Sequence, residues 1–313
     1  MAHLKVSPFK PWARIAGFAE GIRGSGILGA LALACTAALP GCGGSSQGGN
    51  GGSGAGTSIG AAVIAFVAPR DGADAVIGTQ LEQFAQTVQS RLLGDCMTSD
   101  GFAAPTFPTV GPPTDLGNAQ FPNLPVIEAT HDLGLFTGGG PFFNPQRGMS
   151  APERKAWQAR IGHCFRTTQR QNVLFGSPKL GPLTSHWYTI VNQITGSSQI
   201  RKLSKKAAKC SAAHGVPATS VQSLYGRLQA KVGPISSSSS NSSKLQALQA
   251  KGARVLAACW TKVIDTTTSL LNDRRATYLA QNATAVAGLQ SQINGRVASL
   301  ERRYGIKLTL VGS

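Results

Sequence analysis

Residues 77–102 read IGTQLEQFAQTVQSRLLGDCMTSDGF, and Ile77, Leu81, Phe84, Val88, Leu92 and Cys96 recur in it at steps of three or four. Side chains spaced this way share one face of an α-helix, because successive residues turn by about 100°. Gly101 follows the last of them and supplies the residue type that closes helices. The stretch therefore predicts a long amphipathic helix that ends on a Cys and a Gly.

The same spacing returns downstream. Ser150-Ala151-Pro152-Glu153 is a capping box with Pro in the first turn, so a helix should begin at Ala151 and turn Trp157, Ile161 and Cys164 to one side. Trp187, Ile190 and Ile194 mark a further helical stretch that breaks near Gly196 and resumes through Leu203, Ala207 and Cys210. Val221, Leu224, Leu228 and Val232 mark a shorter one. A Ser-rich loop over 233–243 precedes sixty residues of helical spacing between Leu245 and Tyr304, which make one long helix or two stacked ones. Thr266-Thr267-Thr268 is the expected weak point, since β-branched residues lose rotamer freedom in helices.

Between 103 and 147 the pattern fails. Eight prolines, among them Pro105, Pro112, Pro125 and Pro145, together with Gly138-Gly139-Gly140, forbid long helices and leave irregular chain or a short hairpin. The fold class that follows is all-α, with long amphipathic helices and a Pro/Gly-rich irregular region after the first of them.

Four cysteines, Cys96, Cys164, Cys210 and Cys259, fall in these helices, and four allow three disulfide pairings. An internal echo selects among them. Cys96 and Cys210 each begin C-x4-G at a helix end, whereas Cys164-Phe165 and Cys259-Trp260 each place an aromatic after a mid-helix Cys. The order end, middle, end, middle predicts Cys96–Cys164 and Cys210–Cys259, each stabilising the fold by about 4 kcal/mol in the chain-entropy account. A zinc site built from these thiols with His163 or His214 is the rival reading. The paired C-x2–4-C spacing typical of such sites is missing.

Residues 1–26 carry Lys5, Lys10, Arg14 and Arg23 against Glu20, and an uncharged run, ILGALALACTAALP, covers 27–40. A basic region followed by a short apolar one describes a secretory signal, since spanning a bilayer takes about 20 apolar residues. Leu39-Pro40-Gly41-Cys42 resembles the lipobox of bacterial lipoproteins, with Pro40 standing where a small residue is usual. The resemblance implies cleavage before Cys42, lipidation of its sulfur and durable membrane attachment. Residues 1–41 then read as a lipoprotein signal peptide, 42–60 as a Gly/Ser tether and 61–313 as one helical domain. Gly56-Thr57-Ser58-Ile59-Gly60 matches the G-x-S-x-G string of hydrolases, but that motif needs a strand before its Ser, and a Gly/Ser tract precedes it here.

Cys96-Met97 with Gly101-Phe102, Cys164 in its capped helix, and the second pair Cys210 and Cys259 resemble a family of uncharacterised actinobacterial secreted lipoproteins. That resemblance implies an all-helical fold and an extracytoplasmic, lipid-anchored location. It implies no activity.

Of 313 residues, 42% are apolar and 14% charged, which excludes a chain kept disordered by charge and a multi-span membrane protein. Lys and Arg number 30 against 13 Asp and Glu, a net charge of +17. The excess is lopsided: 61–134 hold two bases against eight acids, and 135–313 hold 24 bases against four acids. The halves should attract one another. Arg201, Lys202, Lys205, Lys206 and Lys209 form the densest basic cluster.

No P-loop, H-E-x-x-H or Rossmann string occurs, and no pair of acids suits general acid–base work, so the chain does not read as an enzyme and implies no cofactor. The expected role is binding or structural support in the cell envelope, with the basic cluster contacting anionic polymer or lipid head groups rather than nucleic acid. The alternatives are a solute- or peptide-binding accessory lipoprotein that uses the 103–147 loops, and a secreted hydrolase of unrecognised type.

Overall fold

Ser150 caps its helix as its sequence dictates. Its hydroxyl accepts the Glu153 amide, and the Glu153 carboxylate returns to accept the Ser150 amide at 2.7 Å. The resulting helix is one of a set that fills the computed structural model, which describes residues 58–105, 116–135, 148–174, 176–235 and 242–310. The helices are α1 (Ile59–Val67), α2 (Gly72–Ser99), α3 (Leu124–Thr130), α4 (Ala151–Gln169), α5 (Leu180–Thr195), α6 (Ser198–Ala213), α7 (Val221–Ile235), α8 (Ser242–Val255), α9 (Thr261–Gln281) and α10 (Ala283–Tyr304). A single π turn, Leu256–Trp260, joins α8 to α9 without interrupting the helix. No strand occurs among the described residues, so the all-α class stands.

α2 organises the first half. It packs α1 along one side and α4 along another, and α10 returns from the C-terminal end to cover α1 and α2. α5 lies against α1, α9 and α10, while α6 packs on the π turn and α9. One apolar core runs through all of these except α4, from Ala62 in α1 to Leu300 in α10, with Trp187, Trp260 and Tyr278 among its largest sealed side chains. A satellite core of Leu93, Met97, Trp157 and Cys164 sits between α2 and α4.

Buried polar groups tie this frame together. The Trp187 indole donates to the Pro69 carbonyl at 2.9 Å, and the Tyr278 hydroxyl to the Leu183 carbonyl at 2.8 Å. Asn172 donates to the Ala85 carbonyl at 2.8 Å, and Gln89 to the Thr168 hydroxyl at 2.8 Å, which pins the end of α4 to α2. The attraction between the acidic and basic halves takes a specific form. Asp74, 6% exposed, meets Arg275 of α9 at 3.2 Å and Arg70 at 3.1 Å. Burial pushes the Asp74 carboxyl above its ordinary value, outweighing the pull of Arg275. Arg160 of α4 pairs with Asp100 at the end of α2.

Several boundaries differ from the sequence reading. α1 precedes the helix read as the first. Its nine residues, IGAAVIAFV, are apolar almost throughout, so no stripe stands out, and the core buries Ala62, Val63, Ala65 and Val67. The described residues begin at Ser58, which is the N-cap of α1, so helix is already under way at 61. The Ser-rich loop is shorter than 233–243: helix continues to Ile235 and restarts at Ser242.

Thr266-Thr267-Thr268 does not break the last helical stretch; the break falls at Asn282. The Thr266 and Thr267 hydroxyls each donate to a carbonyl one turn back at 2.7 Å, so their polar groups are satisfied within the helix, which runs on through them. Within 103–147, α3 forms behind Pro125, and a tight turn bridges Gly117 to Pro122. The described part of that region sends Leu116, Phe121, Leu124, Ile127, Leu133 and Leu135 into the core. The expected signal peptide, Cys42 and nearly all of the expected tether lie outside the described residues.

Candidate functional site

Both disulfides form with the pairing read from the echo. Cys96 and Cys164 have Cα atoms 5.7 Å apart, and Cys210 and Cys259 have theirs 5.6 Å apart. The echo extends to the backbone. Gly101 and Gly215 both take the left-handed conformation, at φ +77° and +72°. The Phe102 amide donates to the Met97 carbonyl and the Gly101 amide to Thr98; in register, Val216 donates to Ser211 and Gly215 to Ala212. Two Schellman caps are thus superposed in pattern, and Gly serves where φ is positive.

α6 carries the basic cluster, and its geometry follows from the helix period. At 100° per residue, Arg201, Lys202, Lys205, Lys206 and Lys209 spread over an arc of about 140°. All five are exposed, while Ile200, Ala207 and Ser211 on the opposite side are buried. Ser197 caps the helix by accepting the Ile200 amide, and no acid stands in its first turn. Among the described residues no carboxylate lies within ion-pair distance of any of the five.

The basic surface continues past the end of α6. His214 is the C-cap residue there, exposed, with its amide donating to the Cys210 carbonyl at 3.1 Å. An open pocket of about 660 Å³ is lined by His214, Lys251, Arg254, Val255, Ala257 and Ala258. Lys251 and Arg254 stand three residues apart on α8 and are both exposed. Lys251 reaches across to the chain after α6: a Cβ on Gly215 would lie 3.3 Å from its ammonium. Three cation-capable groups therefore converge on one mouth floored by aliphatic side chains.

Lys251 and Arg254 carry no sequence motif. Once Cys259 is paired with Cys210, however, their positions eight and five residues before Cys259 bring them to His214, four residues after Cys210. The pairing was the signal that locates them.

The other histidines have local explanations. His131 caps α3 in the left-handed region at φ 54°, and the neighbouring Asp132 carboxylate accepts the Gly134 amide at 2.7 Å. His186 sits exposed on α5 with its ring edge against Tyr278, centroids 5.3 Å apart. His163 points outward beside Cys164, whose sulfur is bonded to Cys96. Ser58 of the G-x-S-x-G string spends its hydroxyl on the Ala61 amide as an N-cap. Glu153 caps α4, and the Glu301 carboxylate accepts the Leu308 amide at 2.8 Å. Asp265 and Asp273 are exposed, and neither forms an ion pair among the described residues. No described helix is long and apolar enough to cross a membrane.

Comparison with protein-family models, curated proteins and solved structures returns no match to this chain.

Proposed function

We propose that the protein is an extracytoplasmic lipoprotein, anchored through Cys42, whose helical body binds anionic material of the cell envelope. Five exposed cations on one face of α6, without a carboxylate in reach among the described residues, carry this reading. Charges left open along a rigid helix keep their field for an external partner, where an internal ion pair would cancel it. The His214, Lys251 and Arg254 pocket extends that field from α6 to α8. The lipobox-like LPGC at 39–42 and the resemblance to secreted helical lipoproteins supply the location, and two disulfides suit an oxidising compartment.

An anchored body with a basic flank meets head groups and wall polyanions at high local concentration. Each Lys or Arg near an anionic surface contributes about 1 kcal/mol, and the contribution falls with salt because the Debye length is about 8 Å at physiological ionic strength. The test is sedimentation with vesicles of anionic and of neutral lipid, at low and high salt. Binding should be confined to anionic vesicles and vanish in high salt. Replacing Lys202, Lys205, Lys206 and Lys209 together by Gln should weaken it by tenfold or more with helicity intact. Equal binding to both lipids, or no change in the variant, refutes the reading. The intact mass of the native protein tests the anchor separately: it should match a chain starting at a lipidated Cys42.

A further inference from the structure

The second disulfide stands in an environment that a purely structural staple does not need. Cys210 and His214 are one helical turn apart, so they face the same way from the end of α6. Cys259 comes to them from the π turn, whose extra residue resets the helix between α8 and α9 just where it meets α6. Such turns are frequent at functional sites. The two sulfurs and a ring nitrogen of His214 all lie within 4.8 Å of one another, and both cysteines are only half-buried. Among the described residues this is the one place where three groups of this kind converge.

We propose that reduction of Cys210–Cys259 converts this cluster into a Cys2His site for a zinc-type divalent cation. The donor set is chemically suited, since thiolate and imidazole are the ligands that zinc selects, at about 2.3 Å to sulfur and 2.0–2.1 Å to nitrogen. A tetrahedral centre of that size separates its ligand atoms by roughly 3.5–4 Å. The atoms are already gathered to within 4.8 Å. Rotation of two Cys side chains, with Cα atoms held 5.6 Å apart, opens the sulfurs to that spacing.

The electrons balance through a named partner, a dithiol. Its thiolate attacks one Cys sulfur and the other Cys leaves as thiolate. The second thiol of the reductant then resolves the mixed disulfide and ends as a cyclic disulfide, leaving Cys210 and Cys259 reduced. Zinc displaces their two protons, and two thiolates neutralise its charge. Lys251 and Arg254 therefore do not oppose the metal as they would a bare cation. Three protein ligands leave the fourth position open, as in catalytic rather than closed structural zinc centres. Because His214 also lines the pocket of Lys251 and Arg254, the ligand drawn to that position would be an anionic oxygen such as a phosphate or carboxylate. Cys96–Cys164 lacks this chemistry: the Cys164 sulfur is sealed at 0% exposure, and no third ligand joins it among the described residues.

The experiment starts from the intact oxidised chain. Graded dithiothreitol treatment, alkylation and peptide mapping identify which pair opens, and native mass spectrometry after removal of the reductant and addition of zinc counts bound metal. The expected result is that Cys210–Cys259 opens first, and that one zinc less two protons is gained only by the reduced chain. His214→Ala should weaken zinc binding at least tenfold, and Cys210→Ser/Cys259→Ser should abolish it while remaining helical. Four results overturn the proposal: no zinc on the reduced chain, equal zinc on His214→Ala, Cys96–Cys164 opening first, or loss of the helical circular-dichroism signal when the second pair is reduced.

Discussion

The two staples share a local plan and differ in what surrounds them. Each joins a Cys five residues before a Schellman Gly to a Cys beside an aromatic, with Cα separations of 5.7 and 5.6 Å. The first closes over the satellite core of Leu93, Met97, Trp157 and Cys164, and Arg160, which reaches the Cys96 sulfur at 3.9 Å, is engaged by Asp100. The second stands at the edge of a basic pocket, with His214 beside it and with Lys251 and Arg254 in no ion pair among the described residues. One copy of the plan has been used to seal a core, and the other opens onto solvent. The lesson is that local geometry and chemical role separate: the cap and the cross-link repeat, while the neighbours decide what the sulfurs meet.

The largest effects bear on that difference. Cys96→Ala/Cys164→Ala and Cys210→Ala/Cys259→Ala should each cost about 4 kcal/mol, since the separations of 68 and 49 residues differ little in closure entropy. The void at sealed Cys164 should add on the order of 1 kcal/mol to the first. Denaturant unfolding of both variants checks this, and equal losses would erase the distinction between sealed and open staple.

Asp74→Ala comes next, at about 3 kcal/mol, because it strands a largely buried Arg275 without its carboxylate. The contrast is with Lys202→Gln and Lys206→Gln, which should stay within about 0.5 kcal/mol. Thermal unfolding of all three would show whether charge is structural in the first half and available in the second. Between these extremes lie Gly101→Ala and Gly215→Ala. Both force a Cβ into the left-handed region and should cost about 1 kcal/mol each, alike despite their different surroundings.

The smallest effect concerns pH. Hydrogen bonds from the Ser150 hydroxyl and amide hold the Glu153 carboxyl below its ordinary value. A depressed carboxyl pKa contributes stability that is complete above the ordinary glutamate range and is lost as pH falls through the depressed value. Amide protection factors in the first turn of α4, each taken against the intrinsic exchange rate at the same pH, should therefore fall on acidification into that range. The first turn of α6, capped by Ser197 with no acid, should not respond this way.

How much of this was legible follows from what each signal physically is. Period-3.6 stripes, capping residues and a C-x4-G repeat are local, so α2, the start of α4, the Gly196 break and both disulfides could be read directly. α1 could not, because a segment apolar almost throughout has no polar face to set its phase. The Thr266–Thr268 break was misplaced because propensity treats a threonine as a side chain alone, whereas here its hydroxyl bonds to the turn before it. The cations of α6 were visible as a run. The pocket was not, since Lys251 and Arg254 reach His214 only after the chain has folded back on a cross-link. Sequence also gave no hint of the π turn, which arises where α8 and α9 are fitted against α6 as one continuous rod.

Ser58 and α1 carry a mechanical consequence. The first capped residue of the folded body is followed at once by a helix wedged between α2, α5 and α10, and the Gln290 amide of α10 is bonded to the Gly60 carbonyl at 2.9 Å. Any pull on the chain ahead of Ser58 is delivered to that wedge, and through it to the opposite end of the polypeptide. Drawing α1 out of its place would expose Ala62, Val63, Ala65 and Val67, which the core buries. Tension applied ahead of Ser58 should therefore be resisted by the packing of a whole helix and not by one residue at a time.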